Sequence, residues 1–182
     1  MCCVRRIERV LVHSRTAAHA ERFAEQVRRC APIPSDVRAV PSVADAVVSA
    51  DVVCTATTSV DPVLRVEHAR PGLHVNAVGS FTPEMRELDP ALIGRADCVV
   101  VDQRAAALAE AGEVIAAIAA GLTGETRLVE LGKLVIGRAA GRARDDGVTV
   151  FKSVGLAIQD LFAADRAVRE AESRGLGLEV RL

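Results

Sequence analysis

The chain has no tryptophan, no tyrosine and only four phenylalanines in 182 residues. Sequence-tolerant nucleic-acid binders stack bases on aromatic side chains in series, so that class of surface is not expected. Lysine is almost as scarce. Of 23 basic residues only Lys133 and Lys152 are lysine, and the arginines are scattered among 24 acids instead of forming a stripe. Nucleic acid is therefore not an expected partner. No apolar run reaches the roughly 20 residues of a membrane span, and the opening MCCVRRIERV lacks a secretory apolar stretch. No membrane association is expected, and the expected location is the cytoplasm. Cys2, Cys3, Cys30, Cys54 and Cys98 have no C-x-x-C spacing, and the four histidines (His13, His19, His68, His74) are dispersed. That pattern implies neither a metal site nor a disulfide framework, only reduced small hydrophobes.

What is present is valine-rich and periodic. With 50% hydrophobic residues the chain can bury a sizeable core as a single domain. Apolar runs at ERVLVHS (8 to 14), DVRAV (36 to 40), DVVCTA (51 to 56), LHVNAV (73 to 78), DCVVVD (97 to 102) and VTVFKS (148 to 153) read as strands. Helical patterns lie between them: 16 to 30, from Ser42, from Pro90, an alanine-rich stretch from Gln103 to Arg138, and 154 to 175, the last stopped by Gly175. The closing LEVRL is a further strand candidate. Strands that are continuously apolar have both faces covered, and parallel neighbours need crossover helices. The expected fold is α/β: a Rossmann-like, open, mostly parallel sheet with helices on both faces and a long C-terminal helix.

Such sheets bind ligands beyond the carboxyl ends of their strands. The segments to inspect are SRT (14 to 16), TATTS (55 to 59), GSFT (79 to 82) and KSVG (152 to 155). In dinucleotide folds the second strand commonly ends in an acid that accepts from the adenine-ribose hydroxyls, and a 2′-phosphate would be repelled by it. Here His13-Ser14-Arg15-Thr16 offers no acid. Arg15 presents a planar fork suited to phosphate, between two hydroxyls. The plainer reading makes Thr16 a helix N-cap and Arg15 a solvated charge. Only seven residues precede Glu8, so the first strand and its G-x-G-x-x-G turn are expected to be lacking.

ADVVCTATTS, HVNAVGSFTPEMRELDP and VTVFKSVGLAIQDL resemble the ornithine cyclodeaminase and mu-crystallin family, which includes ketimine reductases and an alanine dehydrogenase. The likeness runs in register from about Arg5 to Leu182 and corresponds to the later part of a family member. It implies a single truncated dinucleotide-binding domain over residues 1 to 182. The strand and helix of 148 to 182 would pack toward a substrate and dimerisation domain absent from these residues. It also implies a nicotinamide cofactor, NADP(H) over NAD(H), with Ser14, Arg15 and Thr16 at the adenine-ribose end. Thr57 and Thr58 would lie at the ribose and nicotinamide, Val78, Gly79 and Ser80 beside the nicotinamide, and Lys152, Ser153 and Val154 over its carboxamide. The implied partners are a small imino or amino acid and, as in the homodimeric family, a second copy.

Cyclodeaminases of the family carry a proton-transferring aspartate two residues after the glycine of NAVG, and this position is Phe81. A phenyl ring accepts no proton, so GSFTPEMREL resembles instead the family's reductases of cyclic ketimines such as pyrroline-2-carboxylate. Glu84 and Glu87 read as surface or capping groups in a turn-like stretch. The expected activity is NADP(H)-dependent reduction of a cyclic imino acid. The alternatives are a truncated, non-catalytic nucleotide-binding or interaction protein, and an ornithine cyclodeaminase converting ornithine to proline and ammonia.

Overall fold

The computed structural model describes residues 1–178 and 180. Strands and helices alternate as β1 (Val10–Val12), α1 (Ala17–Val27), β2 (Val37–Ala39), α2 (Val43–Val47), β3 (Val52–Thr55), β4 (His74–Ala77), α3 (Pro90–Arg95) and β5 (Cys98–Val101). They continue as α4 (Arg104–Glu110), α5 (Gly112–Ala119), β6 (Leu128–Glu130), α6 (Leu131–Val135), β7 (Thr149–Lys152) and α7 (Ala157–Ser173). Every pairing is parallel. Five strands form one sheet in the order β3-β4-β7-β5-β6, while β1 and β2 form a separate pair.

The expected α/β architecture is present, and its centre follows from the valine runs. Val75 on β4, Val99 and Val101 on β5 and Val150 on β7 are at most 3% exposed, and Leu88, Leu92, Ile93, Ala107, Val114 and Leu128 from other elements close over them. Burying each valine, leucine or isoleucine contributes about 1.5–3 kcal/mol. α3 starts where the sequence signals it: Asp89 accepts from the Ala91 N–H at 2.8 Å and Pro90 occupies the first turn.

The β1–α1–β2 unit lies outside this contiguous core and buries only Ala20, Ala24 and Val37 of its own. β1 pairs only with β2, and β3 only with β4, so each keeps one free edge among the described residues. Among the described residues no strand joins the pair to the main sheet.

Two local expectations need correction. The stretch from Gln103 to Arg138 is not wholly helical, because β6 lies within it and pairs with β5. Three residues carry no periodicity to set them apart, and edge pairing decides their state. α7 begins at Ala157 and not at Val154, since Asp102 takes the N–H groups of Val154 and Gly155 and Gly155 adopts φ 87°. Its other end is as expected: Gly175 takes φ 62°, with Leu176 N–H donating to the Ala171 carbonyl at 2.9 Å. The strand considered for LEVRL rests on residues outside those described.

Candidate functional site

Thr55, Ala77, Lys152 and Val101 stand in register at the carboxyl ends of β3, β4, β7 and β5. Neighbouring strands lie about 4.8 Å apart, so the loops that leave these ends are immediate neighbours. They are Ala56–Ser59 after β3, Val78–Phe81 after β4 and Ser153–Gly155 after β7. The structure brings together Thr57, Thr58, Val78, Gly79, Ser80, Lys152, Ser153 and Val154 on this edge. Ser14, Arg15 and Thr16 stand at the end of β1, in the separate pair.

Glu87 ties the first two loops together. Its carboxylate is fully buried and accepts from the Thr57 N–H at 2.5 Å, the Gly79 N–H at 2.7 Å and the Ser80 N–H at 3.3 Å. Its own carbonyl accepts from Val63 and Leu64, which fixes the side chain from behind. Glycine is needed at 79 because a Cβ there would overlap the backbone N and O of Thr57. This accounts for the NAVGS sequence: the chain leaving β4 passes directly beneath the loop leaving β3.

A second buried group ties β7 to the same turn. The Lys152 ammonium donates to the Ser80 carbonyl at 2.5 Å, the Ser80 Oγ at 2.8 Å and the Ser153 carbonyl at 3.0 Å. Ser80 Oγ in turn donates to Glu113, whose Oε1 lies 3.6 Å from the ammonium. Glu113 opens α5, and glycine precedes it because a Cβ at Gly112 would overlap the carbonyls of Pro83 and Met85. Burial pushes the Glu113 carboxyl up against the opposing pull of Lys152, and burial pulls the Lys152 ammonium down against the opposing push of Glu113. On the far side of β7, Asp102 Oδ2 accepts from Ser153 Oγ at 2.7 Å and from the Val154 and Gly155 N–H groups at 3.2 and 2.8 Å.

The side chains of Ser80 and Lys152 therefore point into the protein and are spent on this network. What the edge presents outward is Thr58, Val78 (48% exposed), Phe81 (51% exposed) and Gly155. These are one hydroxyl, two apolar surfaces and backbone. Glu84 is exposed, whereas Glu87 caps N–H groups from the interior. At the other end, Arg15 is exposed and makes no ion pair among the described residues, and Thr16 sits at the N-cap of α1 without a side-chain capping bond. An unpaired guanidinium flanked by two hydroxyls, with no acid at the strand end, suits a phosphate. Among the described residues no group of histidines, cysteines or acids is placed to hold a metal, and no helix is long and apolar enough to cross a membrane.

Asp102 and Glu113 were not apparent as site residues in the sequence. Each carried a faint signal, an acid ending VVVD and a lone acid in AGEVIAAIAA, where burial of a charge requires a partner.

A model of the ornithine cyclodeaminase/mu-crystallin family matches residues 1–175. The Delta(1)-pyrroline-2-carboxylate reductase of Bacillus cereus is 39% identical over 175 residues, 96% of this chain and 53% of the relative. The ketimine reductase mu-crystallin of Mus musculus is 42% identical over 155 residues, 85% of this chain and 45% of the relative. The structure of the Thermococcus litoralis Delta(1)-pyrroline-2-carboxylate reductase in complex with NADH and L-proline superposes with a TM-score of 0.91 at 34% identity, covering 98% of this chain and 55% of that one. The chain spans about half the length of the relatives it matches.

Proposed function

The chain belongs to the ornithine cyclodeaminase/mu-crystallin family, and from that premise we propose that it forms the nicotinamide-dinucleotide-binding part of a cyclic imino acid reductase, with NADP(H) preferred over NAD(H). The substrate class is a ketimine such as pyrroline-2-carboxylate. The observation that carries this reading is the alignment of three loops on the adjacent ends of β3, β4 and β7, locked to one another from below.

When bound, the dinucleotide supplies the hydride. Arg15, with Ser14 and Thr16, holds the 2′-phosphate. Thr57 and Thr58 hold the ribose. Val78, Gly79, Ser153 and Val154 frame the nicotinamide, Ser80 and Lys152 contributing through the backbone they anchor. Val78 and Phe81 make an apolar wall that keeps water from the reacting carbon. Phe81 has no proton to give or take, which favours reduction of a preformed imine over cyclodeamination. α7, which buries none of its residues and exposes Ile158, Leu161, Phe162 and Val168, packs toward polypeptide corresponding to the other half of the relatives, where the substrate-gripping and dimer-forming groups would reside. A second reading, a non-catalytic nucleotide-binding or interaction protein, is favoured by the free edges of β1 and β3.

Calorimetric titration with NADPH and NADH tests the proposal. NADPH is expected to bind more tightly, and Arg15→Ala to weaken NADPH about 10- to 100-fold, the worth of one charge-assisted contact, while NADH is unaffected. Equal affinities, or an unchanged NADPH affinity in Arg15→Ala, would remove the phosphate assignment. Binding of neither dinucleotide would favour the second reading in its interaction-protein form.

A further inference from the structure

Glu87, Ser80, Glu113 and Lys152 do not face the candidate cofactor edge, yet all four are fully buried directly beneath it. Seven hydrogen bonds among them and the loops form a continuous path. Thr57 N–H, Gly79 N–H and Ser80 N–H converge on Glu87; Ser80 Oγ spans Glu113 and Lys152; Lys152 closes on the carbonyls of Ser80 and Ser153. Three short loops from three strands are thereby joined through side chains from two further segments, the 83–88 turn and α5, while Asp102 holds Ser153–Gly155 from the other side. We propose that Glu87 and the Lys152–Ser80–Glu113 group are positioning residues, a buried clamp that makes the loops after β3, β4 and β7 behave as one rigid unit.

The chemistry of the clamp depends on which atoms accept and which donate. Glu87 uses both oxygens as acceptors, Oε1 toward the β3 loop and Oε2 toward the β4 turn. In Glu87→Gln the side chain keeps its shape, but one oxygen becomes an NH2 that faces N–H donors, so one of the two loops must let go. Lys152 likewise has three protons and three oxygen acceptors within 3.0 Å, leaving none for a ligand. A cofactor laid against these loops meets backbone already fixed in place, and the ordering cost of binding falls.

The clamp rests on the proposed function only for its ligand, and the experiment separates the two. Amide hydrogen exchange resolved by residue is measured on the full chain, wild type and Glu87→Gln, together with NADPH titration. Exchange in the loop left facing the NH2, either at Thr57 or at Gly79 and Ser80, is expected to speed up at least about tenfold, while Val75 and Val150 in the sheet beneath keep their protection. The NADPH dissociation constant is expected to rise about tenfold. Ser80→Ala, which cuts the other arm, is expected to loosen Ser153–Gly155 as well, and the double variant to weaken NADPH binding by less than the product of the single effects. Unchanged exchange at the three amides, or a uniform rise through β4 and β7, would overturn the clamp, the latter by showing Glu87 to serve global stability alone. Should Glu87→Gln fail to fold, Ser80→Ala decides: faster exchange at Ser153–Gly155 with Val75 and Val150 still protected supports the clamp, and unchanged exchange there overturns it. If the wild type binds no NADPH, the proposed function fails, and exchange alone then confirms or overturns the clamp.

Discussion

At the residue scale, Gly79 is the most constrained position of the candidate site. Its missing side chain is what lets the Thr57 loop lie across the β4 turn, because a Cβ there would overlap the Thr57 backbone and crowd Glu87. Gly79→Ala is expected to lower stability by about 1–3 kcal/mol through overpacking, and denaturant melting would register it. A melt within error of wild type would show that the loops can separate without cost. The glycine was legible in NAVGSF as a strand end, and its purpose was not, because close approach depends on a loop more than twenty positions earlier in the chain. The same limit applies to Ser80 and Lys152. Their location beside the edge was readable from the resemblance, but a sequence gives no direction for a side chain, and both turn inward. Glu87 is the converse. Sequence reasoning left it a capping or surface group, and it caps three N–H groups from a fully buried position.

At the element scale, β4 and β7 are joined at their starts as well as their ends. His74 faces Thr149 across the pair, with Nδ1 2.8 Å from Thr149 Oγ1 and Nε2 3.3 Å from Asn76 Oδ1. Arg142 donates to the same Thr149 hydroxyl at 3.0 Å. Burial holds the imidazole below its ordinary pKa, the Asn76 bond opposing this and Arg142 and Arg5 adding to it. A group with a depressed folded pKa gives stability that is present above its unfolded value and lost as pH falls through the folded value. Melting temperature is therefore expected to decline as pH drops below about 6.5, and His74→Asn to flatten that decline. An identical acid limb in the variant would remove His74 from the account. The long alternating elements were readable because continuous valine runs and amphipathic helices have distinct periods. β6 was not, since three residues between Gly124 and Gly132 become a strand only by pairing with β5. The strand order, with β7 inserted between β4 and β5, also lay beyond the sequence, because order is set by which crossovers pack.

At the scale of the whole molecule, the fold separates into a five-stranded sheet with a continuous core and a two-stranded unit that buries only three small or medium apolar side chains. The candidate edge inherits this division. The loops after β3, β4 and β7 rest on the well-packed sheet, whereas Ser14, Arg15 and Thr16 rest on the pair. A dinucleotide spanning both would be bound by two bodies at once and would stabilise each against opening. The central claim is that this edge holds NADPH, and a thermal melt of the 182-residue chain with and without NADPH tests it most directly. At a hundred times its dissociation constant NADPH is expected to add about 2.7 kcal/mol to stability and raise the midpoint. A midpoint that does not move at millimolar NADPH would contradict the claim.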